Sequence, residues 1–287
     1  MQLKQGTLLQ NGKYRIEHFI SNGGFGCTYE ALHTMFDEKV AIKEFFVKDY
    51  CKRDENTSHV TVGTQGKKPL VDKLKRKFIE EAKVLYKMKH QGIVRVKDIF
   101  EENGTAYYVM DYIEGNVLHK SAPAPDKITE KWLSPVLCNI LQALNYVHSC
   151  GLLHRDIKPN NILHAVDGRA VLIDFGTARS LVSERSATVL ESPGYTPLEQ
   201  MQTNGAKGPW VDIYALGATC YHLLTGTPPP RCLDRLGDND GCRRLAQSPE
   251  LCTRFSKKFL QGIDCALSLN YKQRWQTVDD WLNNIQS

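Results

Sequence analysis

The first third of the chain carries the apolar–polar alternation that is typical of β-strands. Five segments show it or form short apolar runs of the same length, at residues 14–20, 27–31, 40–43, 94–100 and 106–113. The first two flank a glycine-rich stretch, and residues 101–104 join the last two as a turn. One helix interrupts the series, because Phe78, Ala82 and Leu85 recur at helical spacing. This part of the chain is therefore predicted to be β-rich, with a single main helix.

Helical periodicity dominates from residue 117 onward. A wide apolar stripe is formed by Trp132, Leu133, Val136, Leu137, Ile140, Leu141, Leu144 and Val147. Either Thr129 or Ser134, the latter followed by Pro135, could begin this helix. Further helices are predicted at 211–225, 259–267 and 278–285. The helix at 211–225 is mostly apolar and carries one acid, Asp212, near its start, where an acid often serves as a cap.

Two polar clusters flank a hairpin-like segment between these helices. The first reads His-Arg-Asp-Ile-Lys-Pro-Asn-Asn at 154–161, and the second is Asp-Phe-Gly at 174–176, directly after the apolar run 170–173. The hairpin can bring a carboxylate and an amide of the first cluster to face the carboxylate of the second. Three such oxygen donors suit Mg²⁺, which retains waters and binds substrate phosphates. The aspartate of the first cluster remains available to orient a hydroxyl.

A glycine-rich turn and a lysine-bearing strand supply a second candidate site. Ser-Asn-Gly-Gly-Phe-Gly at 21–26 lies between two strands, where backbone N–H groups can approach phosphates closely because glycine has no Cβ. On its own this stretch is equally typical of a plain hairpin turn. The order strand–turn–strand argues against a dinucleotide-binding fingerprint, which needs a helix after the turn. Lys43 ends the next strand, one hairpin further along the chain.

Composition narrows the class of protein further. The chain has 287 residues, of which 41% are hydrophobic and 24% charged, which is typical of a globular protein with a buried hydrophobic core. The net charge of +5 gives no reason to expect a nucleic-acid partner. The nine cysteines form no Cys-x-x-Cys pair, which favours reduced thiols over a disulfide or zinc framework. No apolar run approaches the roughly 20 residues that a membrane span requires, and no signal-peptide pattern opens the chain. A cytoplasmic location is therefore expected.

Taken in order, these motifs resemble the set that defines the protein kinases. The order is a glycine loop, Val-Ala-Ile-Lys at 40–43, a helix glutamate, His-Arg-Asp with Asn161 five residues after the aspartate, Asp-Phe-Gly, and Pro-Leu-Glu at 197–199 where the family has Ala-Pro-Glu. The resemblance covers residues 14–285. Two positions depart from the glycine-loop pattern, since Ser21 replaces the first glycine and Thr28 a valine. Lys158, two residues after the catalytic aspartate, is typical of serine/threonine kinases. The residues at 24–29 and 194–200 resemble those of bacterial members of the family.

The resemblance implies an α+β, bilobal fold, with a small β-rich lobe at 1–112 and a larger helical lobe at 113–287. It implies transfer of the γ-phosphate of ATP, with Mg²⁺, to serine or threonine hydroxyls of protein substrates. By the same resemblance, Glu199 pairs with Arg274, and Asp212 braces the backbone of the His-Arg-Asp loop. The sequence does not indicate an oligomeric state.

The resemblance also implies a role for each residue of the motifs. Asp156 would accept the substrate proton and Lys158 would steady the γ-phosphate. Lys43, paired with Glu81 or, as the second choice, Glu80, would position the nucleotide. Asn161 and Asp174 would hold Mg²⁺. The residues assigned to nucleotide binding are Ile20, Ser21, Asn22, Gly23, Gly24, Phe25, Gly26, Cys27, Thr28, Ala41, Lys43, Met110, Asp111, Tyr112 and Leu163. Met110 would guard the back of the adenine pocket, although filling the core is an ordinary role for methionine.

A polar segment at residues 46–68, called the insertion below, is longer than the usual kinase connection. Such loops are often functional or disordered. The insertion could dock a partner or substrate, or it could be a structural part of the small lobe. The basic stretch at 67–77 that follows is predicted to be the solvated face of a helix.

Two alternatives to a protein kinase stay open at this point. A kinase-shaped scaffold or pseudokinase without catalysis would be expected to lack Lys43, Asp156 or Asp174, and all three are present. A small-molecule kinase of related fold is the other. The Pro-Leu-Glu segment and the helix that carries Asp212 favour a protein substrate instead.

The loop after Asp-Phe-Gly is predicted to regulate the enzyme and to select its acceptor. In the family, the arginine before the catalytic aspartate, here Arg155, pairs with a phosphate on this loop. Thr188 is the first candidate phosphosite and Ser186 the second; alternatively, Arg155 pairs with an acid such as Glu184 or Glu191. Further hydroxyls and cations lie nearby at Ser183, Arg179 and Arg185, and Ser192 is expected to contact Asp156 and Lys158. Thr177 is β-branched, which in related kinases favours threonine over serine acceptors.

Overall fold

The computed structural model describes residues 2–23, 26–63, 65–175, 179–180, 192–202, 204–237 and 241–286, with the side chains of 65, 179 and 180 left aside. The chain divides into two compact units. The first comprises Met1–His90 and Val94–Ile113, and the second Gln91–Ile93 and Glu114–Ser287. Among the described residues, no helix has the length and apolar character needed to cross a membrane.

The first unit is built on an antiparallel sheet of six strands in the order β1-β2-β3-β4-β8-β7. Its strands and helix are β1 (Leu8–Leu9), β2 (Tyr14–Gly23), β3 (Gly26–His33), β4 (Glu38–Phe45), β5 (Cys51–Arg53), β6 (Val60–Val62), α1 (Lys68–Lys87), β7 (Val96–Glu102) and β8 (Thr105–Asp111). Helix α1 buries one stripe, which includes Phe78, Ala82 and Leu85. The Phe78 ring lies between those of Phe45 of β4 and Tyr108 of β8, with ring centroids 5.7 and 4.9 Å away and the rings tilted, and so packs the helix onto the sheet.

Several features of this unit differ from the sequence prediction. β7 runs to Glu102 and not to residue 100, because its pairing with β8 continues to Glu102 opposite Thr105. The turn is therefore the two residues Asn103 and Gly104 alone. β1 was not predicted, since a strand of two residues shows no period. The insertion is not a bare loop, because β5 and β6 pair within it as an antiparallel hairpin.

The second unit is mainly helical. Its elements are β9 (Gly115–Val117), α2 (Leu118–Ser121), α3 (Glu130–Ser149), β10 (Leu152–Leu153), β11 (Ile162–Ala165), β12 (Ala170–Leu172), β13 (Arg179–Ser180), α4 (Leu198–Met201), α5 (Trp210–Thr225), α6 (Pro249–Cys252), α7 (Lys257–Ala266) and α8 (Val278–Gln286). α3 begins after Thr129, so Ser134 and Pro135 lie inside it and the alternative start was wrong. α5 is buried along almost its whole length, which explains its continuous apolar sequence. The helices predicted at 211–225, 259–267 and 278–285 are confirmed as α5, α7 and α8 to within two residues at each end.

Candidate active site

Lys43 of β4 and Glu81 of α1 face each other in the first unit. The Lys43 Nζ lies 3.8 Å from the Glu81 Oε1, and both side chains are largely buried. The hydroxyl of Tyr108 donates to the same Glu81 oxygen at 3.3 Å, and the Lys43 ammonium lies 5.7 Å from the Tyr108 ring centroid. The neighbouring Glu80 points outward and pairs with Lys83 one turn away. Adjacent helix residues differ by about 100° in direction, which is why only one of the two glutamates reaches the lysine.

The glycine-rich stretch joins β2 to β3. Ser21 pairs with Thr28, Asn22 with Cys27 and Gly23 with Gly26, while Gly24 and Phe25 lie outside the described residues. A Cβ at Gly26 would collide with the backbone carbonyl of Glu44. Glycine is thus required at position 26 by the close approach of β4, a structural reason separate from any contact with phosphate.

The remaining candidates for nucleotide contact in the first unit lie along the sheet. Ala41 pairs with Met110 across β4 and β8, and both side chains are buried, so Met110 does fill the core. Asp111 and Tyr112 follow at the end of β8 and are half-buried. The Lys97 ammonium lies 2.9 Å from the Asp111 carboxylate. Ile20, in β2, is exposed, which leaves its side chain accessible.

In the second unit, β11 and β12 form the hairpin that the sequence predicts, with its turn at Asp167 and Gly168. At its open end, the backbone N–H of Ile173 donates to the carbonyl of Asn161 at 3.1 Å. This bond places Asp174 next to Asn161. Leu163 lies in the middle of β11, between its pairing partners in β9 and β12.

The carboxylate of Asp156 accepts hydrogen bonds from three side chains. Lys158 Nζ donates to both of its oxygens at 2.9 Å, Asn161 Nδ2 to Oδ2 at 2.7 Å and Ser192 Oγ to Oδ1 at 2.7 Å. Lys158 also donates to Ser192 Oγ at 3.1 Å, so the predicted contacts of Ser192 are confirmed. These three donors fix the orientation of the carboxylate, which is the group that can accept a proton from a hydroxyl.

Asp212, in the first turn of α5, holds the backbone of the loop that carries Asp156. Its fully buried carboxylate accepts from the backbone N–H groups of His154 and Arg155, at 2.9 and 2.7 Å, and from His148 Nε2 at 2.8 Å. Burial alone raises the pKa of Asp212, but the bond from His148 and the charges around it outweigh burial and lower that pKa. The predicted bracing role is confirmed.

Arg155 adopts a left-handed backbone conformation, with φ of +65°. A residue with a Cβ pays roughly 1–2 kcal/mol for that conformation. Two hydrogen bonds hold it: its N–H donates to Asp212, and its carbonyl accepts from Gln200 Nε2 at 3.0 Å. The strained residue directly precedes Asp156, so Gln200 and Asp212 together fix the direction in which Asp156 leaves the loop.

Glu199 and Arg274 form the ion pair that the sequence predicts. The Arg274 Nη1 lies 2.6 Å from the Glu199 Oε1, and both side chains are buried. Arg274 also donates to the backbone carbonyls of Ser268, Leu269 and Trp210. The pair thus joins the Pro-Leu-Glu segment to the loop before α8.

Asn161 and Asp174 offer the ligand chemistry that Mg²⁺ prefers. The Asn161 Nδ2 group donates to both the backbone carbonyl and the carboxylate of Asp156. These two bonds fix the orientation of the amide. Among the described residues, none donates to the Asn161 Oδ1. An amide oxygen beside a carboxylate is a hard donor set, so the residues present fit the cation.

Several predicted residues lie outside the part of the chain that the structure describes. They are Gly176, Thr177, Ser183, Glu184, Arg185, Ser186, Thr188 and Glu191, together with the side chain of Arg179.

Three residues of the site were not identified from the sequence. Gln200, directly after the Pro-Leu-Glu segment, bonds the Arg155 carbonyl 45 residues back along the chain, and His148, at the end of α3, bonds Asp212; neither contact has a local signal in the sequence. Tyr108 lies in a continuous apolar strand, where an aromatic residue is most simply interpreted as core. Its hydroxyl shows its role only once Glu81 is placed beside it.

Comparisons with known proteins agree with the resemblance to the protein kinases. The model of the protein kinase domain matches residues 14–284. A probable serine/threonine-protein kinase of Dictyostelium discoideum is 30% identical over 94% of this chain and 51% of its own length. Serine/threonine-protein kinase B of Synechocystis sp. is 27% identical over 98% of this chain and 47% of its own length. The chain thus spans about half the length of these curated relatives.

A solved structure agrees over the whole chain. The apo form of PpkA-294 matches with a TM-score of 0.88 and 31% sequence identity, covering 99% of both chains. The α+β kinase fold predicted from the sequence is therefore confirmed. The family match, the relatives and the paired groups around Lys43 and Asp156 agree with one another, and the chain belongs to the protein kinase domain family, among relatives of the serine/threonine type.

Proposed function

We propose that this chain transfers the γ-phosphate of ATP to serine or threonine hydroxyls of protein substrates. The observation that carries the proposal is the Asp156 carboxylate, which Lys158, Asn161 and Ser192 orient at the open end of the hairpin that leads to Asp174. The comparisons give no support to a scaffold or a small-molecule kinase, since the named relatives are serine/threonine-protein kinases.

Each unit supplies part of what phosphoryl transfer requires. In the first, Glu81 and Tyr108 orient the Lys43 ammonium, which offsets phosphate charge. In the second, Asp156 accepts the proton of the acceptor hydroxyl and Lys158 adds positive charge beside it. Asn161 and Asp174 would hold Mg²⁺, which supplies further charge for the transferred phosphate when it is bound. Phosphoryl transfer needs mainly positioning and charge, and these residues supply both. We place the reaction in the cytoplasm, where ATP and Mg²⁺ are abundant.

Incubation with Mg²⁺·ATP and a generic protein substrate tests the proposal. We expect phosphate on serine and threonine, detected by mass spectrometry both on the substrate and on the chain itself. The wild type should modify its own Thr188 first and Ser186 second, whereas the Asp156→Ala variant should modify neither. Equal phosphate incorporation by the two proteins, or none by the wild type with any substrate or on itself, would contradict the proposal.

A matched pair of substitutions on α1 distinguishes the specific contact of Glu81 with Lys43 from the general effect of a negative charge on this helix. Glu81→Gln should lower kcat/KM for ATP by roughly 10- to 100-fold, because a hydrogen-bonded charge contributes about 1.5–3 kcal/mol. Glu80→Gln removes the same charge one residue away, on the exposed side, and should leave kcat/KM within about twofold. Steady-state kinetics at varied ATP measures both, and equal effects would refute the assignment of Glu81.

Acceptor preference gives a further prediction for the same enzyme. Because Thr177 is β-branched, peptides that differ only in the acceptor should be phosphorylated faster on threonine than on serine. Initial rates on such peptide pairs measure the preference, and Thr177→Phe should reverse it. A clear serine preference in the wild type would show that the family rule does not hold here.

A further inference from the structure

Strands β4 and β8 carry one polar cluster on each face of the sheet, and the two clusters use adjacent residues of each strand. Lys43 pairs with Tyr108 and Glu44 pairs with Tyr107 in the antiparallel register. Successive side chains of a strand point to opposite faces of the sheet. The face with Lys43 and Tyr108 meets Glu81 of α1, so the face with Glu44 and Tyr107 is the other side of the same two strands.

On that other face, Glu44 is fully buried and accepts hydrogen bonds from three side chains. Arg53 Nη2 donates to its Oε2 at 2.6 Å, Tyr29 to the same oxygen at 2.9 Å, and Tyr107 to Oε1 at 2.9 Å. We call these four residues the Glu44 cluster. Burial and the charge of Glu44 raise the pKa of both tyrosines, which keeps their hydroxyls protonated as donors. In the part of the chain that the structure describes, Arg53 is the one cation paired with Glu44.

Arg53 belongs to β5 of the insertion, which is held by a contact within its own hairpin and by its close approach to the β7–β8 turn. Arg53 Nη1 donates to the carbonyl of Ser58 at 2.8 Å, within the hairpin, so the guanidinium is held from both sides. The backbone N–H of Val60 donates to the carbonyl of Asn103, in the β7–β8 turn, at 2.7 Å. A Cβ at Gly104 would come within 2.5 Å of the Val60 carbonyl, and only glycine permits that approach at a φ of +73°. The insertion is therefore attached to β4 and to the start of β8.

We propose that the insertion positions Lys43, with Arg53 as the positioning residue. The bond from Arg53 to the buried Glu44 carboxylate links β4 to the insertion, and without the arginine β4 is no longer held by the insertion at Glu44. Since Lys43 is the next residue on the same strand, displacement of Glu44 displaces the lysine. Its contact with Glu81, at 3.8 Å, leaves little tolerance for such a shift. The inference rests on the proposed kinase function, because it names what sets the geometry of the phosphate-binding lysine.

The experiment compares Arg53→Met and Tyr107→Phe with the matched control Tyr14→Phe. Tyr14 is as buried as Tyr107 and also donates to a carboxylate, that of Asp98, but it lies on β2, away from β4. Below the melting temperature of every variant, Arg53→Met should raise the Kd for Mg²⁺·ATP and lower kcat/KM for ATP by about 10- to 100-fold, the loss in rate expected of a small misplacement. Tyr107→Phe should have a smaller effect, and Tyr14→Phe should match the wild type. Unchanged Kd and kcat/KM for ATP in folded Arg53→Met would overturn the proposal.

If Arg53→Met does not fold, a second variant tests the proposal instead. The double variant Glu44→Gln/Arg53→Met leaves no buried charge unpaired and keeps partners for both tyrosines. A weakened Kd in the double variant supports positioning, whereas a wild-type Kd assigns the pair to stability alone and overturns it. A thermal shift without a change in Kd or in kcat/KM for ATP has the same meaning.

Hydrogen exchange separates this inference from the proposed function. If the wild type neither binds nucleotide nor transfers phosphate, the proposed function fails by itself. Amides of 40–45 should then still exchange faster in the double variant than in the wild type or Tyr14→Phe, if the insertion fixes β4. Equal exchange in all three proteins would overturn the inference independently.

Discussion

Replacement of Asp156 by asparagine is expected to lower kcat for phosphate transfer by roughly 10²–10⁴-fold, the range that a positioned proton acceptor contributes. Asparagine has nearly the same shape, so Ser192, Lys158 and Asn161 keep a partner at that position. An amide does not accept a proton at neutral pH, however, and the acceptor hydroxyl would react without its base. The effect should fall on kcat, measured at saturating Mg²⁺·ATP, with little change in KM for ATP.

The matched control for this substitution is Asp167→Asn. Asp167 lies in the turn of the β11–β12 hairpin, is half-exposed and pairs with Arg169 at 2.7 Å. The same charge is lost in the hairpin that follows the Asp156 loop, yet kcat should remain within about twofold of the wild type. Retention of more than about a tenth of wild-type kcat by Asp156→Asn would contradict the role of Asp156 as the base.

Contacts between recognisable motifs could be predicted from the sequence. Asp212, Ser192 and the Glu199–Arg274 pair lie in segments whose order and spacing identify them, and the structure places them as expected. The choice of Glu81 over Glu80 came from the resemblance to the family, and in the structure it is Glu81 that lies 3.8 Å from Lys43.

Contacts that depend on the packing of short or irregular segments could not be predicted. The strands of the insertion have three residues each, too few to show a period, and their pairing joins positions on either side of a polar turn. A lysine- and arginine-rich segment offers many cations, and only the fold shows that Arg53 is the one that meets Glu44. Gln200 contacts the catalytic loop, and His148 contacts the Asp212 carboxylate that braces this loop, both without a local signal in the sequence.

Arg274→Met is expected to lower the free energy of unfolding by about 3–5 kcal/mol, the cost of breaking a buried ion pair from one side. The substitution leaves the carboxylate of Glu199 buried without its cation and removes the donors that Ser268, Leu269 and Trp210 now accept from. Methionine fills much of the space of the arginine stem, so the loss should come from charge and hydrogen bonds and not from a cavity. Urea unfolding of the purified chain measures it.

An exposed ion pair of the same unit provides the control. Arg231 and Asp234 lie 2.8 Å apart with about half of each side chain exposed, and Arg231→Met should cost less than about 1 kcal/mol. The double variant Glu199→Gln/Arg274→Met should recover part of the stability that Arg274→Met loses, because no charge then remains buried alone. Equal destabilisation by Arg274→Met and Arg231→Met would show that the buried pair contributes no more than a surface contact. In that case the link between the Pro-Leu-Glu segment and the loop before α8 would depend on its apolar packing.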